Sequence, residues 1–548
     1  MEQTNQEDPQ DQGPPVYFMP GQLLLVVDHP PIDQPEDLIG RLKENPLVAR
    51  NDTLANTVVD PNRVQTFAQH DRERRVPFPP RADHSQFSLV FFDASGTIRN
   101  PNQLTALIDD LNLRALDSDD RSGNRQQFVT VVAASPNWLA TPAGEPTGGS
   151  GPGARPVPVD PLPNPLPYRF ALEALPQLSG EQAHEQPVEV TILDTAPSCG
   201  ALQRAYHRWA YDHPLLRGLF GQLAYGLTAP LSITYAQELD ISLPNRAALH
   251  PKGHNYPMAD HGLFVAGIIW SIAPHARLQL IQVLNDYGVG HLEGITAALR
   301  DLADDRARRR KQSIPIPPLI INMSLTIVTP LPKSRGWNGD VLREGHPKDG
   351  LEGWDSMQDR DGEDQCSRWE AARELLSKAL ESVCISLHHE EVLIVAAAGN
   401  DGKPGSHYGA RNPAAYESVL GVGALVPDAG APSGYAMAFY SNDSDDPLSA
   451  GIATLGGDAD PMTYDTRPDS GVLGVYTGEF PQAGALPNPN GWAWWAGTSF
   501  AAPVITGALA AIIGNNRPPA QAQQELRDFV EAPGTMPNLE IFPVRQEP

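Results

Sequence analysis

The stretch Ala496-Gly497-Thr498-Ser499-Phe500-Ala501-Ala502-Pro503 begins a run of small and apolar residues that continues to Ile513. This composition predicts a buried helix with Ser499 in its first turn, where backbone N–H groups have no intrahelical partners. Such a turn can hold an oxyanion beside a serine hydroxyl. A serine in this place can also be a simple helix cap. Whether Ser499 has a structural or a chemical role therefore depends on the motifs in the remainder of the chain.

Length, proline content and charge limit the class of protein. A chain of 548 residues predicts two or three domains at about 150 residues each. Its 55 prolines predict long ordered loops and linkers. The formal net charge of −26 argues against nucleic acid and anionic membrane surfaces as partners. We expect neither a nucleic-acid partner nor a membrane partner.

Cysteine use and hydropathy indicate the compartment. The three cysteines, Cys199, Cys366 and Cys384, are odd in number and have no metal-like spacing, which fits a reducing compartment. The N-terminus lacks the basic region of a signal peptide. Apolar runs fall short of the roughly 18 residues that a membrane span needs. We therefore expect a cytoplasmic protein.

The N-terminal part of the sequence predicts a small α+β domain followed by a linker. Residues 1–15 are polar and rich in proline, so we expect them to be disordered. The α+β domain is expected over residues 16–140, with three strand-like runs and one helical pattern at residues 22–27, 86–92, 127–134 and 102–111. The Gly- and Pro-rich residues 141–167 predict a linker, in part flexible and in part stiffened by proline.

Residues 168–548 predict a large α/β domain. Continuous apolar strands alternate with helical patterns, which is typical of a parallel sheet with helices on both faces. The predicted strands are residues 187–195, 277–284, 318–324 and 392–398, and the predicted helices are residues 200–213, 259–269, 292–310 and 367–388. An acid-rich surface insert is expected near residues 329–366.

Three residues with catalytic chemistry occur at strand ends or helix starts. Asp194, His261 and Ser499 follow one another in the chain order Asp…His…Ser. In α/β sheets the carboxyl ends of the strands gather the active site, and this chain order distinguishes subtilisin from other serine hydrolases. Residues 187–515 resemble the subtilisin-type serine protease domain through four motifs in family order, at residues 192–195, 260–267, 397–402 and 497–503.

The resemblance implies a subtilisin-like α/β fold and a serine endopeptidase that acts on proteins or peptides. Ser499 corresponds to the nucleophile, His261 to the residue that takes its proton, and Asp194 to the carboxylate that orients the imidazole. Asn400 corresponds to the oxyanion-hole amide. From the residues alone, Asp194 could be a buried strand-end cap, His261 an ordinary helix-start histidine, and Asn400 a turn residue.

Further positions match the substrate cleft of that family. These are Ser324, Leu325, Ala397, Ala398 and Gly399, although the same residues could also be plain sheet core. Thr326 stands where the family has glycine, which should place a side chain in the cleft wall. The cleavage preference therefore cannot be carried over from the resemblance.

We expect no cofactor and no metal ligands. Relatives of subtilisin often bind calcium, and Asn442-Asp443-Ser444-Asp445-Asp446 invites that interpretation. The segment lacks the spacing of a defined calcium loop. A solvated turn is therefore favoured over a calcium site.

The role of residues 16–140 is open between two hypotheses. The resemblance suggests a pro-segment that occupies or chaperones the cleft, and the alternative is a docking or sensing domain that tethers the protease to a partner. A catalytically silent binding protein that retains the fold, and an esterase with the same triad, are alternatives to the peptidase itself. Because uncontrolled proteolysis harms a cell, we expect regulated activity or a narrow substrate range.

Overall fold

The computed structural model describes most of the chain. The described residues are 18–68, 86–98, 101–119, 129–142, 154–172, 187–221, 229–236, 256–327, 375–402, 409–431, 434–444, 452–468, 470–482, 486–514, 517–528, 540–542 and 544–547. The expected disordered residues 1–15 and the expected surface insert 329–366 lie outside this part of the chain.

The N-terminal unit is an antiparallel sheet covered by helices. Its elements in chain order are β1 (Phe18–His29), α1 (Pro35–Glu44), α2 (Pro46–Ala49), α3 (Asp52–Asn56), β2 (Val64–Ala68), β3 (Gln86–Asp93), α4 (Pro101–Asp119) and β4 (Thr130–Pro142). The strand order β4-β1-β3-β2 is that of two interlocked β-α-β units, as in ferredoxin-like folds. The small α+β domain expected from the sequence is present.

Strand β4 is longer than its sequence pattern indicates. The apolar alternation ends near Ala134, but the strand continues to Pro142. Its first part pairs with β1, and register shifts interrupt the pairing twice. Its last residues leave the N-terminal sheet and pair with strands of the larger domain. Because these partners are distant in the sequence, a prediction from the local pattern cannot include them.

The larger domain contains the remaining elements. They are β5 (Val157–Pro158), β6 (Arg169–Leu172), β7 (Glu189–Asp194), α5 (Cys199–Trp209), α6 (Pro214–Phe220), β8 (Leu231–Thr234), α7 (His261–Ile272), β9 (Arg277–Gln282), β10 (Gly290–His291), α8 (Leu292–Lys311), β11 (Leu319–Met323), β12 (Leu325–Ile327), α9 (Lys378–His389), β13 (Leu393–Ala397), β14 (Leu420–Pro427), β15 (Tyr435–Met437), β16 (Ile452–Leu455), β17 (Val472–Val475), β18 (Trp492–Trp495), α10 (Thr498–Gly514), α11 (Pro519–Asp528), β19 (Glu540–Ile541) and β20 (Val544–Glu547).

A parallel sheet organises this domain. Its strand order is β19-β16-β14-β13-β11-β7-β9-β8, with β15 added antiparallel to β14. Successive residues of the central strands enter opposite cores: Ile320 packs in the core that contains α7 and α10, and Ile321 packs in the core that contains α8 and α9. Helices therefore cover both faces, and the fold is the α/β fold expected from the sequence.

The N-terminal unit packs directly on helices α8 and α9. Its strands share one apolar core with those helices, including Leu24 and Phe91 on one side and Leu299 and Val383 on the other. The indole nitrogen of Trp138, in β4, donates a hydrogen bond to the carbonyl of Leu376, 3.0 Å away.

The described part of the expected linker is ordered on the larger domain. The Trp495 indole donates to the carbonyl of Ala154 at 2.6 Å, and Arg155 forms an ion pair with Asp465 at 2.9 Å. Strand β5 adds to β18. Residues 143–153 lie outside the described residues, and the domain boundaries drawn at residues 140 and 168 stay predictions.

Within the described ranges, no single helix is long and apolar enough to cross a bilayer, and only α10 together with α11, which meet at a bend of 119°, have the combined length and apolar composition of a span.

Candidate active site

Asp194 and His261 form a buried pair at the carboxyl edge of the sheet. Asp194 is the last residue of the central strand β7 and His261 is the first residue of α7. The imidazole Nδ1 lies 2.8 Å and 2.9 Å from the two carboxylate oxygens of Asp194. The backbone N–H of Thr195 donates to Oδ1 of the same carboxylate at 2.6 Å. A buried carboxylate with these donors can fix the tautomer of an imidazole.

The start of helix α7 requires a glycine after His261. A Cβ atom on Gly262 would stand 2.2 Å from the carbonyl oxygen of Thr195. Only glycine lets the helix come this close to the end of β7, and this approach brings the imidazole to Asp194.

Asp260, just before the histidine, ties α7 to another loop. Its carboxylate accepts hydrogen bonds from the backbone N–H and the hydroxyl of Thr477, at 3.0 Å and 2.6 Å. Burial raises the pKa of Asp260 to about 6, and the donors of Thr477 oppose that rise. This carboxyl group contacts the loop that follows β17, whereas Asp194 contacts the imidazole.

Aromatic rings enclose the imidazole of His261. Trp495 meets it edge-on with ring centroids 5.3 Å apart, and Phe500 packs at 5.2 Å. Because Nδ1 contacts Asp194, Nε2 is the ring nitrogen on the side away from that carboxylate.

Ser499 lies in the first turn of α10, as expected, and is 3% exposed. Its hydroxyl donates to the carbonyl oxygen of Ser324 at 3.2 Å, and the hydroxyl of Ser324 donates to the carbonyl oxygen of Ser499 at 2.8 Å. A hydroxyl has one proton, so in this arrangement Ser499 donates to Ser324 and not to His261. Catalytic hydrogen bonds commonly tighten only when substrate is bound.

A chain of hydrogen bonds holds Ser324 in place. The amide nitrogen of Asn322 donates to the hydroxyl of Ser324 at 2.9 Å, and the hydroxyl of Thr506, in α10, donates to the amide oxygen of Asn322 at 2.8 Å. The sequence analysis missed Asn322 and Thr506, since neither belongs to a recognisable motif.

Asn400 lies beside the same turn, with its amide held in one orientation. Its side-chain oxygen accepts from the backbone N–H and the hydroxyl of Thr498, both at 2.9 Å. The amide nitrogen is thereby placed near Gly497, where a Cβ atom would lie 3.5 Å from it. An amide N–H₂ group beside a serine at a helix start is the arrangement that an oxyanion hole needs.

The residues expected in the substrate cleft lie together next to this site. Leu325 is in β12, Ser324 comes just before it, and Ala397, Ala398 and Gly399 run from the end of β13 to Asn400. All five are buried. Their assignment as substrate contacts stays a prediction.

The end of β4 lies between β10 and β12, in a slot beside these residues. Ala140 lies opposite both Gly290 in β10 and Ile327 in β12, and Thr141 lies opposite Thr326. Thr326 is fully buried where it pairs with this strand. This insertion was not predicted, because the prolines at 136 and 142 and the start of the linker pattern end the strand signal there.

No metal site accompanies these residues in the part of the chain that the structure describes, where no group of three or more His, Cys, Asp or Glu side chains is placed to hold an ion. Of the possible calcium segment, residues 445 and 446 lie outside the described ranges. Asn442 instead bonds to the loop of Asn400, through a 2.8 Å hydrogen bond from the backbone N–H of Asp401 to its side-chain oxygen.

The fold and this arrangement are those of an α/β protein with an aspartate–histidine pair at the carboxyl edge of its parallel sheet and a serine in the first turn of a buried helix. The sequence profile of the subtilase family, peptidase S8, matches residues 186–532. The chain belongs to the subtilase family and is a subtilisin-like serine endopeptidase. No curated protein sequence matches it at a significant level.

Solved structures that resemble the chain include three proteases. A mutant of the protease domain of PatA is 20% identical, with 66% of this chain and 92% of that chain covered and a TM-score of 0.36. Fervidolysin from Fervidobacterium pennivorans, described as a keratinolytic enzyme related to subtilisin, is 15% identical, with coverages of 99% and 64% and a TM-score of 0.46. A lanthipeptide protease is 18% identical, with coverages of 72% and 97% and a TM-score of 0.39.

Proposed function

We propose that the chain hydrolyses peptide bonds through an acyl-enzyme formed on Ser499, with His261 and Asp194 as its catalytic partners. The observation that carries this proposal is the buried contact of both Asp194 oxygens with Nδ1 of His261. This contact leaves Nε2 as the base on the side of the ring away from Asp194.

Each of these residues has a separate role in the proposed hydrolysis. His261 Nε2 takes the proton of the Ser499 hydroxyl as its oxygen attacks the scissile carbonyl, and the resulting imidazolium is stabilised by Asp194. The oxyanion is bound by the Asn400 amide and the backbone N–H of Ser499. His261 then protonates the leaving amine, and the same residues activate water to release the acyl group.

Before attack, the Ser499 hydroxyl has to leave its acceptor on Ser324. A rotation about the Cα–Cβ bond of Ser499 redirects the proton from the cleft wall towards His261. A substrate that binds along β12 competes for the Ser324 carbonyl, so substrate binding favours this rotation.

We propose further that the N-terminal unit acts as a pro-segment rather than as a docking domain. Support comes from β4, whose residues 139–142 pair on one side with β10 and on the other side with β12. A substrate continuing this antiparallel register would place its next residue opposite Ser324, whose carbonyl contacts the Ser499 hydroxyl. The strand therefore occupies the path by which a peptide would reach the nucleophile.

Self-processing tests both parts of this proposal. We expect the purified wild-type chain to cut itself within residues 143–153, just beyond β4, because that segment follows the strand in the slot. Intact-mass measurement and N-terminal sequencing should find the cut in the wild type and not in Ser499→Ala. A wild-type chain that stays intact yet hydrolyses peptides at full rate would contradict the pro-segment role.

Arg63 binds the N-terminal unit to the larger domain next to the slot. Its guanidinium donates two hydrogen bonds, both 2.5 Å long, to the carboxylate of Glu293 in the first turn of α8. The side chains of Arg63 and Glu293 are 24% and 16% exposed. The two side chains form a bidentate, half-buried ion pair that crosses the interface.

Replacing Arg63 with alanine should weaken the inhibition by β4. Losing this bidentate pair should weaken the free energy with which the N-terminal unit binds the larger domain by about 1.5 kcal/mol. The fraction of molecules in which β4 has left its place between β10 and β12 should therefore rise about tenfold. The measurement is the initial rate of peptide hydrolysis by the full chain before processing. As a matched control, Arg309→Ala removes an ion pair with Glu189 that lies within the larger domain, and it should leave the rate unchanged. Equal rates for Arg63→Ala and the wild type would argue against a role for this contact.

A further inference from the structure

The loop that carries Asn400 is joined to two other segments by backbone hydrogen bonds. The N–H of Asn442 donates to the carbonyl of Gly399 at 2.9 Å, and the N–H of Arg411 donates to the carbonyl of Ala398 at 2.8 Å. The N–H of Gly402 donates to the carbonyl of Tyr440 at 2.8 Å. The loop itself belongs to no strand or helix, so its position depends on these attachments.

The side chain of Asp401, immediately after Asn400, is the centre of a buried cluster. Its Oδ2 accepts from Nε of Arg411 at 2.6 Å and from the amide nitrogen of Asn442 at 2.7 Å, and its Oδ1 accepts from Nη2 of Arg411 at 3.0 Å. The side-chain oxygen of Asn442 accepts from the backbone N–H of Asp401 at 2.8 Å. The Arg411 and Asp401 side chains are only 5% and 3% exposed.

The cluster also packs against the backbone just before Asn400. Gly399 has a φ of +115°, a conformation that L side chains rarely adopt, and a Cβ atom there would lie 2.7 Å from the amide nitrogen of Asn442 and 3.3 Å from Cγ of Arg411. The side chains of Asn442 and Arg411 therefore fill the space beside Gly399. They leave the loop little room to shift at this position.

We propose that Asp401, Arg411 and Asn442 are positioning residues that hold the Asn400 amide at the oxyanion position. Replacing a buried ion pair by apolar residues often leaves stability unchanged or raises it, so stability alone does not explain this cluster. Oxyanion donors act only when they are aimed in advance at the developing charge, and small displacements are costly. The inference rests on the oxyanion role of Asn400 under the proposed function.

A double-mutant cycle separates positioning from a general effect on the fold. We expect Asp401→Ala to lower kcat for a chromogenic peptide about 10- to 100-fold with little change in KM, because the donor is misplaced and the cleft is intact. Asn400→Ala should lower kcat about 10²- to 10³-fold. The double variant should be no slower than Asn400→Ala alone, since Asp401 acts only through Asn400. The assay uses the full chain after its self-processing has ended.

Two conservative variants keep the test decisive if Asp401→Ala fails to fold. Asp401→Asn keeps the shape of the side chain and one acceptor oxygen, and Arg411→Lys keeps the charge but loses the fork geometry. Both variants should lower kcat while changing KM little, and their melting temperatures should stay close to that of the wild type. As a matched control, Arg306→Lys alters another largely buried arginine outside the site and should leave kcat unchanged.

The outcomes distinguish this inference from the proposed function. If Asn400→Ala loses kcat but the Asp401 and Arg411 variants keep it, the positioning role is wrong and the oxyanion role stands. If the losses of Asp401→Ala and Asn400→Ala multiply in the double variant, Asp401 acts independently and the inference is overturned. If Asn400→Ala keeps the wild-type kcat, the oxyanion role in the proposed function is itself wrong.

Discussion

Replacing Ser499 with alanine is expected to lower kcat for peptide hydrolysis by about 10⁶-fold, because no acyl-enzyme can then form. Substrate affinity should stay close to that of the wild type, since the hydroxyl contributes little to the cleft surface. The measurement is kcat with a peptide substrate, together with the KM of any residual activity. A small acceleration over water should remain from the cleft and the oxyanion donors.

A second serine provides the matched control. Ser271 lies in α7 and donates to the carbonyl of Ile268 at 2.7 Å, in the same helix as His261 but away from Ser499. Ser271→Ala should keep kcat within about twofold, as surface and helix-internal substitutions usually do. If Ser499→Ala retained activity comparable to that of Ser271→Ala, the nucleophile would have to be another residue.

Replacing Asp194 with asparagine is expected to lower kcat by about 10⁴-fold at neutral pH without a matching rise in KM. The backbone N–H of Thr195 already donates to Oδ1, so the asparagine oxygen should remain there and the amide nitrogen should take the place of Oδ2. Oδ2 lies 2.9 Å from Nδ1 of His261. An N–H donor in that place favours the tautomer whose proton is on Nε2, and the base is lost.

A variant of the neighbouring carboxylate, Asp260, is the control that distinguishes the loss of the orienting contact from the loss of any buried charge. Asp260 is also buried, and its carboxylate bonds to Thr477 rather than to the imidazole. Asp260→Asn should therefore lower kcat by no more than about tenfold, the cost of a slightly displaced helix start. Equal losses in the two variants would contradict the orienting role of Asp194. The pH dependence of kcat/KM for each variant completes the comparison.

Much of the larger domain could be predicted, because its elements carry strong local patterns. The helix expected over residues 292–310 is observed as Leu292–Lys311, and the apolar strand expected over residues 318–324 is observed as Leu319–Met323. The helix opening at His261 begins at that residue. Burial on both faces of a parallel sheet leaves a continuous apolar run in the sequence, which is why these strands could be located.

Strand β4 shows where local patterns fail. Its last residues pair with Gly290 and His291 in β10, and with β12, elements more than a hundred residues away in the chain. Backbone pairing of this kind does not require apolar alternation, so the segment resembled the start of a linker. The pairing of β4 with β10 and β12, on which the proposed pro-segment role rests, is visible only in the strand register.

In the candidate site, too, some residues could be predicted from local motifs and others could not. Asp194, His261, Asn400 and Ser499 could be named because each lies in a short motif with a chemical purpose. The residues that hold them are set by long-range contacts and have no motif of their own. Asn442 is an example: it was considered as part of a calcium segment, but its amide bonds to Asp401 and to the carbonyl of Gly409, at 2.7 Å and 3.0 Å.

The most direct test of an activated nucleophile at Ser499 is covalent labelling by a fluorophosphonate probe, followed by mapping of the labelled peptide. We expect the self-processed wild type to be labelled on Ser499, Asp194→Asn to be labelled far more slowly, and Ser499→Ala not to be labelled. Label on a different serine, or equal labelling of the wild type and Ser499→Ala, would contradict an activated nucleophile at Ser499.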